Sequence, residues 1–270
     1  MNIAIIGGGN MGGAFARACL EKKLCSAKSL YIVEPLAARR AELFKQLGCR
    51  IEAAPSQTLK KYPIVFLAVK PFEMSAVCKS LSPYLGAKHL VISILAGIRI
   101  ASISKALAGH KNIIRCMPNT PVQLGLGMSV FYSAPVVKER DLNVARTIFE
   151  AVGASLQVDK ESLVDAATAV SGSGPAYLYY YIENMLKAAQ RLGFSDIESE
   201  LLVGQTITGA LALWGASGES PECLRERVTS KGGTTAAALG VFQKKKVGAA
   251  LIEGVKRADE RCRELQKLAK

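Results

Sequence analysis

The stretch Ile3-Ala4-Ile5-Ile6-Gly7-Gly8-Gly9-Asn10-Met11-Gly12 decides the fold. Four consecutive apolar residues read as a strand buried on both faces, as in a parallel sheet covered by helices. Gly-x-Gly-x-x-Gly follows at once, and the helical pattern Met11–Glu21 follows that. Strand, tight turn and helix in this order form the fingerprint of a dinucleotide site. Each glycine has its own task. Gly7 permits the turn, Gly9 lets the backbone approach a pyrophosphate, and Gly12 allows the helix to pack closely on the strand. Asn10 and Met11 open the helix, whose free N–H groups and partial positive charge suit phosphates. A glycine-rich structural turn is the alternative; the position directly behind the first strand favours the ligand.

Outward from this stretch, β-rich apolar runs alternate with amphipathic segments. The runs are 3–6, 30–33, 64–69, 90–95 and 113–116; the helical segments include 11–21, 37–47 and 74–85. Later strands are expected at 128–132 and 155–158, with a helix at 138–151 between them. This alternation predicts a parallel sheet with helices on both faces. After Asp159 the chain turns rich in Ala, Gly and Leu, and 161–170, 176–192, 197–214 and 249–268 read as helices. The expected architecture is α/β: a Rossmann domain over residues 1–159, then an all-helical domain over 160–270 whose small residues suit either a compact helical core or one that also buries surface against a second copy. In an open parallel sheet, ligands lie beyond the carboxyl ends of the strands. Ala68-Val69-Lys70-Pro71 and Ala96-Gly97 occupy such ends and are candidate cofactor contacts, with Pro71 suited to a first helical turn.

Composition excludes several classes. The net charge of +13 fits anionic small ligands, and the densest basic run, Lys244-Lys245-Lys246, lacks the aromatic interleaving of a nucleic-acid site. No long uncharged apolar run is present to span a membrane, and no basic leader precedes Ile3. Seven scattered cysteines without a Cys-x-x-Cys pair, beside only two histidines, indicate reduced thiols, no metal site and a cytoplasmic location. Neither nucleic acid nor membrane is expected as a partner.

Three further motifs carry chemistry: Cys116-Met117-Pro118-Asn119-Thr120-Pro121, Ser171-Gly172-Ser173-Gly174-Pro175-Ala176-Tyr177, and Val228-Thr229-Ser230-Lys231-Gly232-Gly233-Thr234-Thr235-Ala236. With the N-terminal glycine loop and Ala68-Val69-Lys70-Pro71, they resemble the pyrroline-5-carboxylate reductase family over essentially the whole chain. The resemblance implies NAD(P)H-dependent reduction of 1-pyrroline-5-carboxylate to L-proline, the last step of proline biosynthesis. It also implies a homodimer or an oligomer of dimers, built by interleaved C-terminal domains. Substrate is held at the dimer interface by the loop matching Ser230, Gly232, Gly233, Thr234 and Thr235, and Asn119 joins the cofactor contacts. The chain departs from the family in carrying Lys231 where proline is usual.

Reduction of a cyclic imine needs a hydride donor, a carboxylate pocket and a proton on nitrogen. Backbone N–H groups at Gly233, Thr234 and Thr235 form a cradle at a helix start, and the Thr235 hydroxyl is the candidate catalytic group, bonding the ring nitrogen. A substrate that arrives protonated needs no histidine acid, and His89 and His110 both lie in the first domain as structural residues. Two other readings stay open. One is a β-hydroxyacid-type dehydrogenase, whose general-acid lysine has its first counterpart only at Lys187. The other is a non-catalytic dinucleotide-binding relative. NADH and NADPH are both candidates; Glu34, ending the second strand, is placed for the ribose hydroxyls and favours NADH.

Overall fold

The computed structural model describes residues 1–268, with side chains through 264. The chain forms two compact units, one of Met1–Ser173 joined by the stretch that begins at Ala258, the other of Gly174–Arg257.

The first unit is built on β1 (Ile3–Ile6), α1 (Asn10–Glu21), β2 (Leu30–Val33), α2 (Ala37–Leu47), β3 (Arg50–Glu52), β4 (Ile64–Leu67), α3 (Met74–Leu81), β5 (Leu90–Ser93), α4 (Ile100–Ala106), β6 (Ile113–Met117), β7 (Gly127–Ser133), α5 (Glu139–Glu150), β8 (Gly153–Gln157) and α6 (Glu161–Ala167). The strands form one sheet in the order β3-β2-β1-β4-β5-β6-β7-β8. Pairing is parallel except between β6 and β7, where Arg115 faces Tyr132 in an antiparallel register. The all-parallel expectation fails there because Asn119 to Leu126 make only a short turn, too short for the crossover that a parallel partner needs.

The apolar runs form strands because both faces of each are covered. Along β1, Ile3 and Ile5 enter a core with Phe15 of α1, Phe66 of β4 and Phe149 of α5. Ala4 and Ile6 enter the opposite core with Tyr31, Val65, Met74 and Ile103. The period-two alternation of side chains thus feeds two cores from one strand. Phe15 and Phe66 lie 5.0 Å apart between ring centroids. Each fully buried side chain of this size contributes about 1.5–3 kcal/mol.

The second unit contains α7 (Gly174–Arg191), α8 (Asp196–Ser217), α9 (Pro221–Arg227), α10 (Thr234–Lys244) and the start of α11 (Val247–Leu268). Ser195 caps α8 and Ser220 caps α9, each accepting a backbone N–H of the first turn. Around α8, apolar residues face every direction, and Leu201, Leu213 and Trp214 are at least half exposed.

By its packing, α6 lies with the sheet in the unit that runs to Ser173, and a buried charge holds it there. Arg115, in the middle of β6, is 1% exposed. Its guanidinium bonds Asp165 of α6 and reaches Glu161 at 3.4 Å, while Glu161 also accepts the Ile100 N–H at 2.7 Å. A buried guanidinium must be paired, so α6 is drawn onto the sheet. Replacing Arg115 with Met leaves the buried Asp165 with only the half-exposed Arg99, whose guanidinium stands 3.8 Å away. The expected outcome is a loss of about 3–5 kcal/mol in chemical denaturation; a loss below about 1 kcal/mol would show that the pair is replaceable.

Candidate active site

The carboxyl ends of the parallel strands assemble a candidate cofactor site within the first unit. The glycine loop leaves β1, Glu34 leaves β2, Ala68-Val69-Lys70 leaves β4, Ala96-Gly97 follows β5 and Asn119 follows β6. The strand registers bring these ends to one edge.

Geometry separates the three glycines. Gly7 has φ +101°, and a Cβ there would sit 2.6 Å from the Ala68 carbonyl oxygen. At Gly12 a Cβ would fall 2.0 Å from the Gly7 oxygen, so the helix could not begin where it does. Gly9 is different, since nothing in the protein lies within 4 Å of its missing Cβ. Folding demands glycine at 7 and 12; at 9 the open space is available to a ligand. Gly9 is also the N-cap of α1, and no side chain caps this helix. The uncapped N–H groups and the clear approach fit a pyrophosphate.

Glu34 is buried, and its carboxylate accepts the Gly8 N–H at 2.9 Å and the Leu36 N–H at 3.0 Å. Arg39 donates from Nε to the Gly8 carbonyl at 2.8 Å and pairs with Glu42. Arg40 donates to the carbonyls of Glu34 and Pro35. Both guanidinium groups therefore hold the backbone around Glu34. Lys70 is exposed, with its ammonium 5.7 Å from the centroid of the Phe72 ring.

Asn119 has a role that sequence reasoning missed. Its Oδ1 accepts the Met128 N–H at 2.8 Å and its Nδ2 donates to the Ser171 carbonyl at 3.0 Å. The amide ties the exit of β6 to β7 and to a π-helical turn at Thr168–Gly172. A Cβ at Gly172 would lie 2.7 Å from the Met117 terminal carbon, so this flexible side chain would have to move aside for it. A cofactor contact by Asn119 is left with its one remaining N–H. Arg115 was equally visible as a charge inside Ile113-Ile114-Arg115-Cys116, a signal that a buried partner must exist.

The second unit carries the loop before α10. Gly232 has φ +75°, and a Cβ at Gly233 would meet the Ser230 hydroxyl at 2.4 Å. The expected cradle loses one member here, because the Gly233 N–H is donated to the Ser230 carbonyl at 3.0 Å. Gly233 is the N-cap of α10 and no side chain caps it, so neither Thr234 nor Thr235 serves as its own helix's cap. The N–H groups of Thr234, Thr235 and Ala236 open the helix. Lys231 is exposed and lies outside the positive-φ region.

Burial pushes the Cys19 thiol up to about 12 and those of Cys49 and Cys78 to about 11. All seven cysteines are free, and only Cys223 is exposed. Burial lowers the His110 pKa, and its ring bonds the His89 carbonyl at 2.9 Å, far along the sheet from the glycine loop. Lys187 pairs with Glu183 on an exposed helix face, which removes it as a general acid of the β-hydroxyacid type. Among the described residues, no group of three or more His, Cys, Asp or Glu is placed to hold a metal, and no helix is long and apolar enough to cross a membrane.

Known proteins resemble the chain over nearly its whole length. Residues 161–265 match the family model for pyrroline-5-carboxylate reductase dimerisation, and residues 2–97 match that for NADP oxidoreductase, coenzyme F420-dependent. The chain is 38% identical to the pyrroline-5-carboxylate reductase of Vibrio alginolyticus over 98% of both proteins. It superposes on the pyrroline-5-carboxylate reductase structure from Coxiella burnetii with a TM-score of 0.91, at 31% identity and 98% coverage of each chain. The NADP-bound pyrroline carboxylate reductase of Plasmodium falciparum gives a TM-score of 0.88 at 28% identity, again covering 98% of each chain.

Proposed function

The chain belongs to the pyrroline-5-carboxylate reductase family, and from that premise we propose how its own residues carry the reaction. It is a nicotinamide-dependent oxidoreductase that reduces 1-pyrroline-5-carboxylate to L-proline. A bound nicotinamide dinucleotide supplies the hydride; the protein supplies placement and electrostatics.

The observation that carries the assignment of roles is the uncapped start of α10. Its first N–H groups, from Thr234 to Ala236, receive the substrate carboxylate, and the partial positive charge of the helix end favours the anion. Ser230 and the two glycines shape this loop. The Thr235 hydroxyl accepts the N–H of the protonated imine and keeps the ring oriented as it is reduced. The imine arrives protonated, so no side chain of the enzyme delivers a proton to nitrogen. Gly9, Asn10, Met11 and Gly12 hold the pyrophosphate. Ala68, Val69, Lys70 and Pro71, with Ala96 and Gly97, flank the nicotinamide half.

Self-association belongs to this family's C-terminal domain. The apolar surface of α8 and the exposed Tyr179, Tyr180 and Trp214 support a homodimer formed through it. Such a face buries more than about 2,000 Å² in a stable dimer. The free, mostly buried cysteines suit a reducing, cytoplasmic compartment.

Thr235→Val keeps the shape and removes the hydroxyl. Loss of a hydrogen bond to a charged reacting group predicts a fall in kcat of roughly 10²–10³. Near-normal turnover in this variant would remove the hydroxyl from the mechanism.

The same reading extends to the cofactor. The Glu34 carboxylate, fixed by Gly8 and Leu36, accepts ribose hydroxyls and repels a 2′-phosphate. Arg39 and Arg40 are engaged with backbone carbonyls. The enzyme therefore favours NADH modestly and still binds NADPH. Steady-state kinetics with both cofactors are expected to show a higher kcat/KM for NADH, and Glu34→Ser is expected to shift the ratio toward NADPH by roughly tenfold. A strong NADPH preference, unchanged or lowered by the substitution, would show that Glu34 does not meet the ribose.

A further inference from the structure

The opposite edge of the sheet, at the amino ends of the strands, has a charge pattern that the reductase reaction does not use. Four loops enter the parallel strands there, at residues 22–29, 53–63, 82–89 and 107–112. None contains an acidic residue. The first carries Lys22, Lys23 and Lys28, the second Lys60 and Lys61, the third Lys88 and the fourth Lys111. All seven are exposed, and among the described residues none is in an ion pair.

The loops form one continuous surface. Met1 donates its nitrogen to the Leu24 carbonyl at 2.7 Å, and Asn2 Nδ2 donates to the Lys61 carbonyl at 3.1 Å. Leu90 N–H reaches the Pro63 carbonyl at 2.8 Å, and the His110 ring bonds the His89 carbonyl at 2.9 Å. The strand order β2-β1-β4-β5-β6 sets the loops side by side over four inter-strand gaps, about 19 Å in all.

Helix ends do not neutralise this edge. The C-termini of α1, α3 and α4 lead into three of the loops, and each brings about −0.5 of a charge. With Glu21 at the end of α1, and Asp141, which accepts from Asn112 of the fourth loop at 2.9 Å, they offset about −3.5 against seven lysines. The rest of the edge is balanced, since Lys138, Arg140 and Lys160 beyond β7 and β8 alternate with Glu139, Asp159 and Glu161.

We propose that this lysine-lined edge docks an extended acidic segment of another protein. The chemistry of the edge selects that partner among polyanions. The four loops contain no arginine, the residue suited to bidentate phosphate recognition. Their two tyrosines, Tyr62 and Tyr84, are buried or half-buried and offer no platform for stacking bases. No large apolar side chain of these loops is exposed for insertion into a bilayer. What remains is a strip of point charges on flexible stems, which matches a line of carboxylates. An extended chain crosses about 19 Å in about six residues.

The test uses the full-length protein and a labelled peptide of about twelve glutamates, long enough to cover the edge with alternate side chains facing it. Fluorescence anisotropy near 0.1 M salt, where screening acts within about 10 Å, reads the dissociation constant. K23E/K60E/K88E is expected to weaken binding at least roughly tenfold. K138E/R140E/K160E makes the same change in net charge on the balanced half of the edge and is expected to alter binding less than about threefold. Both variants are expected to retain wild-type reductase activity, which reports that they fold. The proposal is overturned if the peptide does not bind, if both variants lose affinity equally, or if duplex DNA or phosphatidylserine vesicles bind this edge more tightly than the peptide.

Discussion

Backbone N–H groups at a helix start have no partner within the helix, and the site is built from that constraint. In α8 and α9 the need is met by Ser195 and Ser220. In α1 and α10 the preceding residue is glycine and no side chain fills the role. Gly9 and Gly233 leave each helix start open while fixing how the chain enters it. A dianionic pyrophosphate and a carboxylate are the ligand types such ends receive best, and the family's reaction uses one of each kind of anion. Catalysis then needs few ionisable side chains, which fits a second unit that contains no histidine.

The rest of the first unit serves to hold the α1 start in place. Gly7 and Gly12 approach so closely that neither tolerates a Cβ, and Ala68 closes the same contact from β4. Glu34 fastens Gly8 from β2, and Arg39 fastens it from α2. At the other end of the sheet, the buried Arg115 draws α6 onto β6, and Asn119 pins the following π-helical turn. The first unit therefore ends in a turn that is anchored to its own sheet.

Much of this was legible in the residues. The run Ile3-Ala4-Ile5-Ile6 is apolar at every position because it feeds two cores, and its continuation into Gly7 declares the turn. The uncapped start of α10 was legible too, because two adjacent glycines before two threonines are hard to explain as a simple cap. Other features depended on tertiary contacts that local pattern does not encode. β3 is three residues with a charged residue at each end, held as an edge strand by pairing with β2, so no apolar run marks it. The packing of α6 on the sheet was hidden because it reads as another helix of the Ala-rich region, and only the pairing of Arg115 with Asp165 reveals it. Asn119 was assigned to the cofactor through the family resemblance, and its bonds to Met128 and Ser171 join segments far apart in sequence. The Gly233 N–H was assigned to the substrate because a turn closed by Ser230 leaves no trace in composition.

The account holds that the imine brings its own proton and that the protein contributes oriented backbone dipoles and one hydroxyl. The pH dependence of kcat/KM for 1-pyrroline-5-carboxylate reduction tests this most directly. The predicted profile falls toward high pH with a single inflection, at the pKa of the free imine measured by titration of the substrate alone, and Lys231→Met leaves that inflection unmoved. A second inflection belonging to the enzyme, or one displaced by the Lys231 substitution, would show that a protein side chain delivers the proton and would contradict the account.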